Sequence, residues 1–449
     1  MSDTQTFLET LNQHRQSMGP EPTWIAARRQ AGAARFEAMG FPTRRDEEWK
    51  YTDVRGIAQG NFALADSADF SQATAATLTL PLEAYRLTFV DGVFSASLSD
   101  LENLPEGLQV LPLSKALEAN HEAVGGPLGR LTGVEFSPFA ALNTAFMEEG
   151  AVIRIGAGCV VEKPIIVQFM SRANAQPTMC HPRVLVEAAG RSEATLIEHY
   201  IGEKDAQNFT NVVGEFMLDR GAILQHYKLQ EAPLGDYHVA SMHVEQNRDS
   251  RYTSYSLNLG GALVRNDLIS DLNGQGAETN FLGLFFGQDR QHVDNHTKVN
   301  HNAPLTFSNE NYKGVLDDRA HGVFNGKVYV KRDSQKIEGY QSNQNLLLSD
   351  RARIDAKPEL EIYADDVKCS HGTTTGQLDE EAVFALRTRG IDEATARALL
   401  TLAFAGEVLE EVKLDVVSER VELAVAGKLP ERFNLTGLVE AASALNEPG

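Results

Sequence analysis

The sequence predicts a mainly β protein whose long β-rich core is flanked by a helical region at each end. Three observations predict it. From about residue 145 to 375, short β-rich stretches follow one another with almost no helical periodicity. Turn signals, a small or polar residue before Ala, recur between those stretches. Helical spacing with start and stop residues marks the first sixty residues and the stretch after Gly376.

The elements follow in order. Thr4 to Met18 carries Phe7, Leu8 and Leu11 at helical spacing, and Gly19-Pro20 stops it. Pro22 opens a second helix through Ile25, Ala26, Ala31, Ala34 and Phe36, which Gly40 ends. The charged run Glu47-Glu48-Trp49-Lys50-Tyr51-Thr52 reads as a docking surface or a folded-back loop. In Arg86 to Phe94 the Asp91-Gly92 pair supplies the positive φ of a hairpin turn. Pro and Leu clusters around 104 to 113, and Gly125-Gly126-Pro127, read as linking segments.

The core strands include Ala151–Ile155, Pro164–Phe169, Arg183–Glu187 and Ala194–Glu198. Tyr255, Leu257 and Leu259 alternate with Ser254, Ser256 and Asn258, which predicts one buried face. Turn signals stand at Gly150-Ala151, Gly221-Ala222, Gly261-Ala262, Gly276-Ala277, Arg319-Ala320 and Arg351-Ala352. Pattern alone fits the stacked coils of a solenoid or a large β-sandwich equally. After Gly376, Asp379 caps a helix from Glu380 to Arg389 that Gly390 closes, and Asp392 caps a second through Ala396, Leu399, Leu400 and Leu402. A third runs from Ser418 through Val421, Leu423 and Val425 towards Pro430. The expected regions are 1–60 helical, 61–140 mixed α/β, 141–378 the β core and 379–449 helical.

Composition narrows the function. The chain has 449 residues and a formal net charge of −21, which argues against a nucleic-acid groove or an anionic-membrane surface. Met1-Ser2-Asp3-Thr4-Gln5 has no basic or apolar leader pattern, and the apolar run 399–405 is far shorter than the ~20 residues of a span. Three cysteines indicate no disulfide framework, so a reducing cytoplasm is expected. No Gly-x4-Gly-Lys-Ser/Thr loop, Gly-x-Ser-x-Gly elbow or Cys-x2-Cys pair occurs. Gly156-Ala157-Gly158 lacks the third glycine of a dinucleotide fingerprint.

Three constellations remain. His292, His296 and His301 lie on a strand-like run, where four residues span about 13 Å, so they read as a hydrogen-bonded patch rather than a chelate. Asp317-Asp318 and Asp365-Asp366 read as solvated turns, because adjacent strand residues point to opposite faces. Glu361 through Gly372 reads as one extended strand. Cys369 and His371 are two apart on it, so both side chains leave one face with bases about 7 Å apart. A thiolate and an imidazole so placed can hold one soft or borderline metal, but two ligands do not complete a four-coordinate site. Lys368 would help ionise the thiol if it approached the sulfur. From spacing alone, the favoured reading is a buried structural Cys beside a hydrogen-bonded His.

At these residues the chain resembles the SufB/SufD family of the SUF iron–sulfur cluster assembly machinery. The matching pieces include Ser308-Asn309-Glu310-Asn311-Tyr312-Lys313-Gly314, Phe324-Asn325-Gly326-Lys327-Val328 and Gln344-Asn345-Leu346-Leu347-Leu348-Ser349. Lys357-Pro358-Glu359-Leu360-Glu361-Ile362-Tyr363-Ala364-Asp365-Asp366-Val367 and Cys369-Ser370-His371-Gly372 match too, as does Ala141-Leu142-Asn143-Thr144-Ala145-Phe146. Glu47 to Thr52 and the scarcity of cysteine point to the SufD branch.

The resemblance implies a right-handed parallel β-helix core between helical regions and a non-ATPase, non-enzymatic scaffold role. It implies a heterodimer with a SufB-like paralogue, and a SufC-like ABC ATPase docked on the C-terminal helices. It implies that His371, with Cys369, faces the SufB-like partner where a transient cluster is built. A homodimer of the isolated chain is left open. The resemblance associates a reduced flavin with the whole complex, although no flavin site is legible here. Two other classes stay in view. One is a β-solenoid carbohydrate lyase or hydrolase using Asp317, Asp318 or Asp365. The other is a metal-binding structural homodimer that brings two Cys369-His371 pairs together.

Overall fold

A computed structural model of the chain describes residues 3–17, 19 and 21–429. Met18, Pro20, Pro430 and the rest of the expected 379–449 region lie outside the described residues. The core is a parallel β-solenoid of about eight turns with helical regions at both ends. Two ten-stranded sheets form it, and from Arg183 onward the chain passes alternately from one to the other. Pattern had left sandwich and solenoid level; the in-register parallel pairing of every second strand decides for the solenoid.

The turn signals are its corners. Gly150, Gly221, Gly261, Gly276 and Asp318 have positive φ. At four corners the following alanine is buried and its N–H closes a tight turn, as Ala222 does on Asp219 and Ala320 on Asp317. Asp91 and Gly92 both have positive φ, and Val90 pairs antiparallel with Val93, so the predicted hairpin is present.

Both faces of the walls are buried, and this corrects the reading of strand Arg251–Asn258. Tyr255 and Leu257 point outward. They are covered by helices Glu393–Leu409 and Asp415–Gly427 through Ala405, Val408, Val417 and Val421. Ser254, Ser256 and Asn258 point into the lumen and are also buried. Polar residues lie inside because the strand's outer face supplies the apolar surface the helices need. On the other sheet, Phe7, Phe36, Trp49 and Phe139 cover Phe209, Val239 and Leu263. Burying each such side chain contributes roughly 1.5–3 kcal/mol.

Of the two segments read as linkers, around 104–113 and Gly125-Gly126-Pro127, residues 104–107 and Gly126-Pro127 are loop and turn, but the rest is regular. Leu108–Pro112 pairs antiparallel with Gly150–Ile155, and Leu113–Gly125 is helical with a break at Asn120. The third C-terminal helix begins at Asp415, three residues earlier than expected, and the first ends at Arg387. Asp379 and Asp392 cap their helices as read.

The two ends of the solenoid differ. At the N-terminal end both sheets finish in an antiparallel strand, Val93–Phe94 in one and Leu108–Pro112 in the other. At the C-terminal end the last strands, Arg353–Ile362 and Val367–Gly376, each pair on one side alone. Among the described residues, ten residues of backbone edge are open on each.

Candidate functional site at the open end of the solenoid

Glu361 to Gly372 is not one strand. A corner at Tyr363–Asp366 divides it, so the chain leaves one sheet at Ile362 and enters the other at Val367. The aspartates that resemble a dyad, Asp365 and Asp366, are exposed on that corner. Asp317 and Asp318 occupy a corner on the opposite edge of the solenoid, where Asp318 has φ 52° and accepts from the Asp289 N–H at 3.1 Å. Both doublets therefore shape turns.

Cys369 and His371 both stand on the last strand, in register with Gly339 and Gln341. The column behind Cys369 runs Gly339, Ser308, Thr279; that behind His371 runs Gln341, Glu310, Phe281. These are lumen-facing positions, so both side chains stand at the mouth of the solenoid. Cys369 is half-buried beside Val328, Ile337 and Val367. A Cβ on Gly339 would lie 3.4 Å from its Sγ. Burial raises the Cys369 thiol, against an opposing backbone hydrogen bond from Gly339, so the chain by itself keeps the sulfur protonated. Lys368 gives no help: it points the other way and donates to Glu338 at 2.8 Å. His371 is exposed and makes no hydrogen bond among the described residues.

The histidine run lies on strand His292–His301. His296 Nε2 meets Asp294 at 3.1 Å and its Nδ1 meets Glu48 at 3.4 Å. His301, which faces the lumen, is held between Thr306 at 2.7 Å and Ser308 at 2.9 Å. His292 meets Thr52 at 2.7 Å and lies edge-on to His321. His292 and His296 belong to one network, joined through the Thr52 hydroxyl and the Asp294 carboxylate, and His301 belongs to a separate set.

The segment around Trp49 is the folded-back loop of the two readings. Trp49 is 5% exposed, with the Arg265 guanidinium over its ring at 4.5 Å. Ala141 to Phe146 is a buried helical stretch. Its Asn143 donates to Pro182 and Asn211 carbonyls and accepts from Arg183.

Sequence reasoning missed the polar groups inside the lumen. Glu310 is fully buried, accepts from Thr297 at 2.5 Å and from Gln341 at 3.4 Å. Burial pushes its carboxyl up to about 7, against those two bonds. Deeper, Lys228 contacts His238 at 2.7 Å and Asn266 at 2.5 Å, and burial pushes its amine down to about 7. The available signal was the register of alternate positions, which pattern assigns to solvent.

Comparison with known proteins follows the same division. Residues 169–404 match the family model described as SUF system FeS cluster assembly, SufBD core domain, and residues 1–167 match the SufBD protein N-terminal region. A Synechocystis iron-sulfur cluster assembly SufBD family protein is 34% identical over 430 residues, 93% of this chain and 94% of that one. The Escherichia coli iron-sulfur cluster assembly protein SufD is 32% identical, covering 87% of this chain and 90% of that one. A Mycobacterium tuberculosis SufBD family protein is 28% identical over 405 residues.

Proposed function

The chain belongs to the SufBD family of the SUF iron–sulfur cluster assembly system, and from that premise we propose that it is a cytoplasmic scaffold subunit, not an enzyme. It pairs through the open end of its solenoid with a SufB-like paralogue, and the nascent cluster is the cargo received there. The observation that carries the reading is the coincidence of two ten-residue edges, unpaired among the described residues, with Cys369 and His371 at the same mouth. Long unprotected edges are rare on soluble proteins, because their free N–H and C=O groups recruit further strands. Cys369 and His371 supply a soft and a borderline ligand, and the rest of a four-coordinate set would come from the partner. His371 is the better candidate of the two: it is exposed, whereas Cys369 is half-buried and protonated.

The C-terminal helices, in the proposed 379–449 region, dock a SufC-like ABC ATPase. Their inner faces are bonded to the solenoid wall, as Lys313 is to Glu407, so a pull on them is transmitted to the strands leading to the mouth. A flavin does not fit by the dinucleotide route. Gly156 to Gly158 lies in a turn between strands with no helix N-terminus after it. Among the described residues no helix is long and apolar enough to cross a membrane.

The test is anaerobic co-expression with both partner types and measurement of iron and sulfide on the complex. Replacing His371 with Ala is expected to lower both at least fivefold while the subunits still co-purify. Undiminished cluster on that complex would sink the role.

A further inference from the structure

We propose that Gln341 is a positioning residue for His371: its side-chain carbonyl accepts the imidazole N–H and leaves the other ring nitrogen free for iron. The inference rests on the proposed role of His371. Gln341 occupies the lumen position directly behind His371 in register, on the neighbouring strand. It is 4% exposed. Its amide nitrogen is turned inward by one hydrogen bond. Nε2 donates to Glu310 Oε2 at 3.4 Å, and Glu310 is itself anchored by Thr297. Gly326, on the facing wall, makes the room: a Cβ there would lie 2.2 Å from Gln341 Nε2.

With Nε2 committed inward, Oε1 is left. It is buried and has no hydrogen-bond partner among the described residues. A buried amide oxygen without a donor is costly to leave unpaired, and each such atom in a folded protein calls for an explanation. On the open side of Gln341, the register neighbour is His371. A neutral imidazole has one N–H and one lone pair. Metal-binding histidines characteristically donate the N–H to a fixed acceptor, which sets the tautomer and aims the lone pair. In the isolated chain His371 is exposed and forms no such bond. Pairing at the open edge would cover the mouth and press the ring onto the waiting oxygen. The column Glu310–Gln341–His371 is then a support built from the lumen outward.

The experiment uses the anaerobic complex with both partner types and titrates ferrous iron at fixed sulfide. Gln341→Met keeps length and volume but removes the strong acceptor, whereas Gln341→Glu keeps an acceptor oxygen. The iron concentration for half-maximal assembly is expected to rise at least fivefold in Gln341→Met and to return within twofold of wild type in Gln341→Glu. If Gln341→Met prevents co-purification, Gln341→Asn, whose carbonyl is withdrawn from the ring, should show the same rise. An unchanged titration in the Met or Asn variant, with assembly lost in His371→Ala, overturns the role of Gln341 and leaves that of His371. Equal losses in the Met and Glu variants mean packing alone and also overturn it. Normal assembly in His371→Ala removes the underlying reading itself.

Discussion

The guanidinium of Arg265 donates to the carboxylate of Asp294 at 2.6 Å, and both side chains are almost wholly removed from solvent. Asp267 takes a second edge of the same guanidinium at 2.7 Å, and Trp49 lies over its face. The N-terminal segment is thereby bonded to the outer wall of the solenoid. Burial alone would raise the Asp294 carboxyl, but Arg265 and then His296 hold it well below the usual carboxylate range.

Removing one partner of this pair is expected to cost far more than removing both. Arg265→Leu takes the guanidinium from a buried carboxylate, leaving only His296 and the Thr52 hydroxyl beside it, and should destabilise by about 3–5 kcal/mol. The double variant Arg265→Leu, Asp294→Leu should recover much of that loss. Urea denaturation of the two single variants and the double variant checks it. Additive losses would mean that the residues act independently.

Glu310 gives the lumen a pH dependence of known sign. Its carboxyl is raised from the ordinary value to about 7 in the fold, chiefly by burial. The folded chain therefore binds this proton more firmly than the unfolded chain. Its contribution is fully present below the unfolded pKa of about 4.3 and is lost as pH rises towards 7. A neutral isostere escapes that loss. Glu310→Gln should raise Tm relative to wild type at pH 8 and leave it nearly unchanged at pH 4.5. Differential scanning fluorimetry at the two values decides, and an equal shift at both would rule out titration as the cause.

Much of the fold was legible because corner chemistry is local. Asp91-Gly92, Gly221-Ala222 and Asp379 announce a hairpin, a corner and a cap through their own φ preferences and side-chain bonds. The solenoid was not, because parallel strands pair across about 30 residues and no local signal encodes that register. Arg251–Asn258 misled for a different reason. Alternation says which side chains share a face, not which face meets water, and here helices cover the apolar side while serines line the lumen. The same blindness hid Glu310 and Gln341, which alternate with Asn311 and Ser342 as solvent-facing residues would. Cys369 and His371 were visible as a same-face pair. That they stand at a mouth, one step from buried acceptors, needed the register.

The thiols should report burial through their reactivity. The thiolate, not the thiol, attacks iodoacetamide. Burial pushes Cys180 up to about 12 and also raises Cys369. Peptide mass spectrometry after brief treatment at pH 7.5 should find Cys180 unlabelled until the chain is unfolded. Cys369 should label slowly, and faster at pH 9. Addition of the SufB-like partner should protect it further. Rapid labelling of Cys369 at pH 7.5 would show that the mouth ionises its own thiol.

The C-terminal helices carry two large apolar side chains that the solenoid does not cover. Phe384, on helix Glu380–Arg387, is 65% exposed, and Leu423, on helix Asp415–Gly427, is 68% exposed. The inner residues of the same helices, Val383, Val421 and Val425, are buried, Val421 and Val425 against the solenoid wall, so the packing of the helices does not use these two. An exposed aromatic surrounded by little else contributes nothing to folding and is the residue type that anchors interfaces. Phe384→Ala should therefore leave stability within about 0.5 kcal/mol of wild type. It should weaken binding of the proposed SufC-like ATPase partner by about 2 kcal/mol, roughly thirtyfold in Kd. Isothermal titration calorimetry of ATPase into the variant checks the affinity, and thermal unfolding checks the fold. Unchanged affinity would move the docking surface away from this helix.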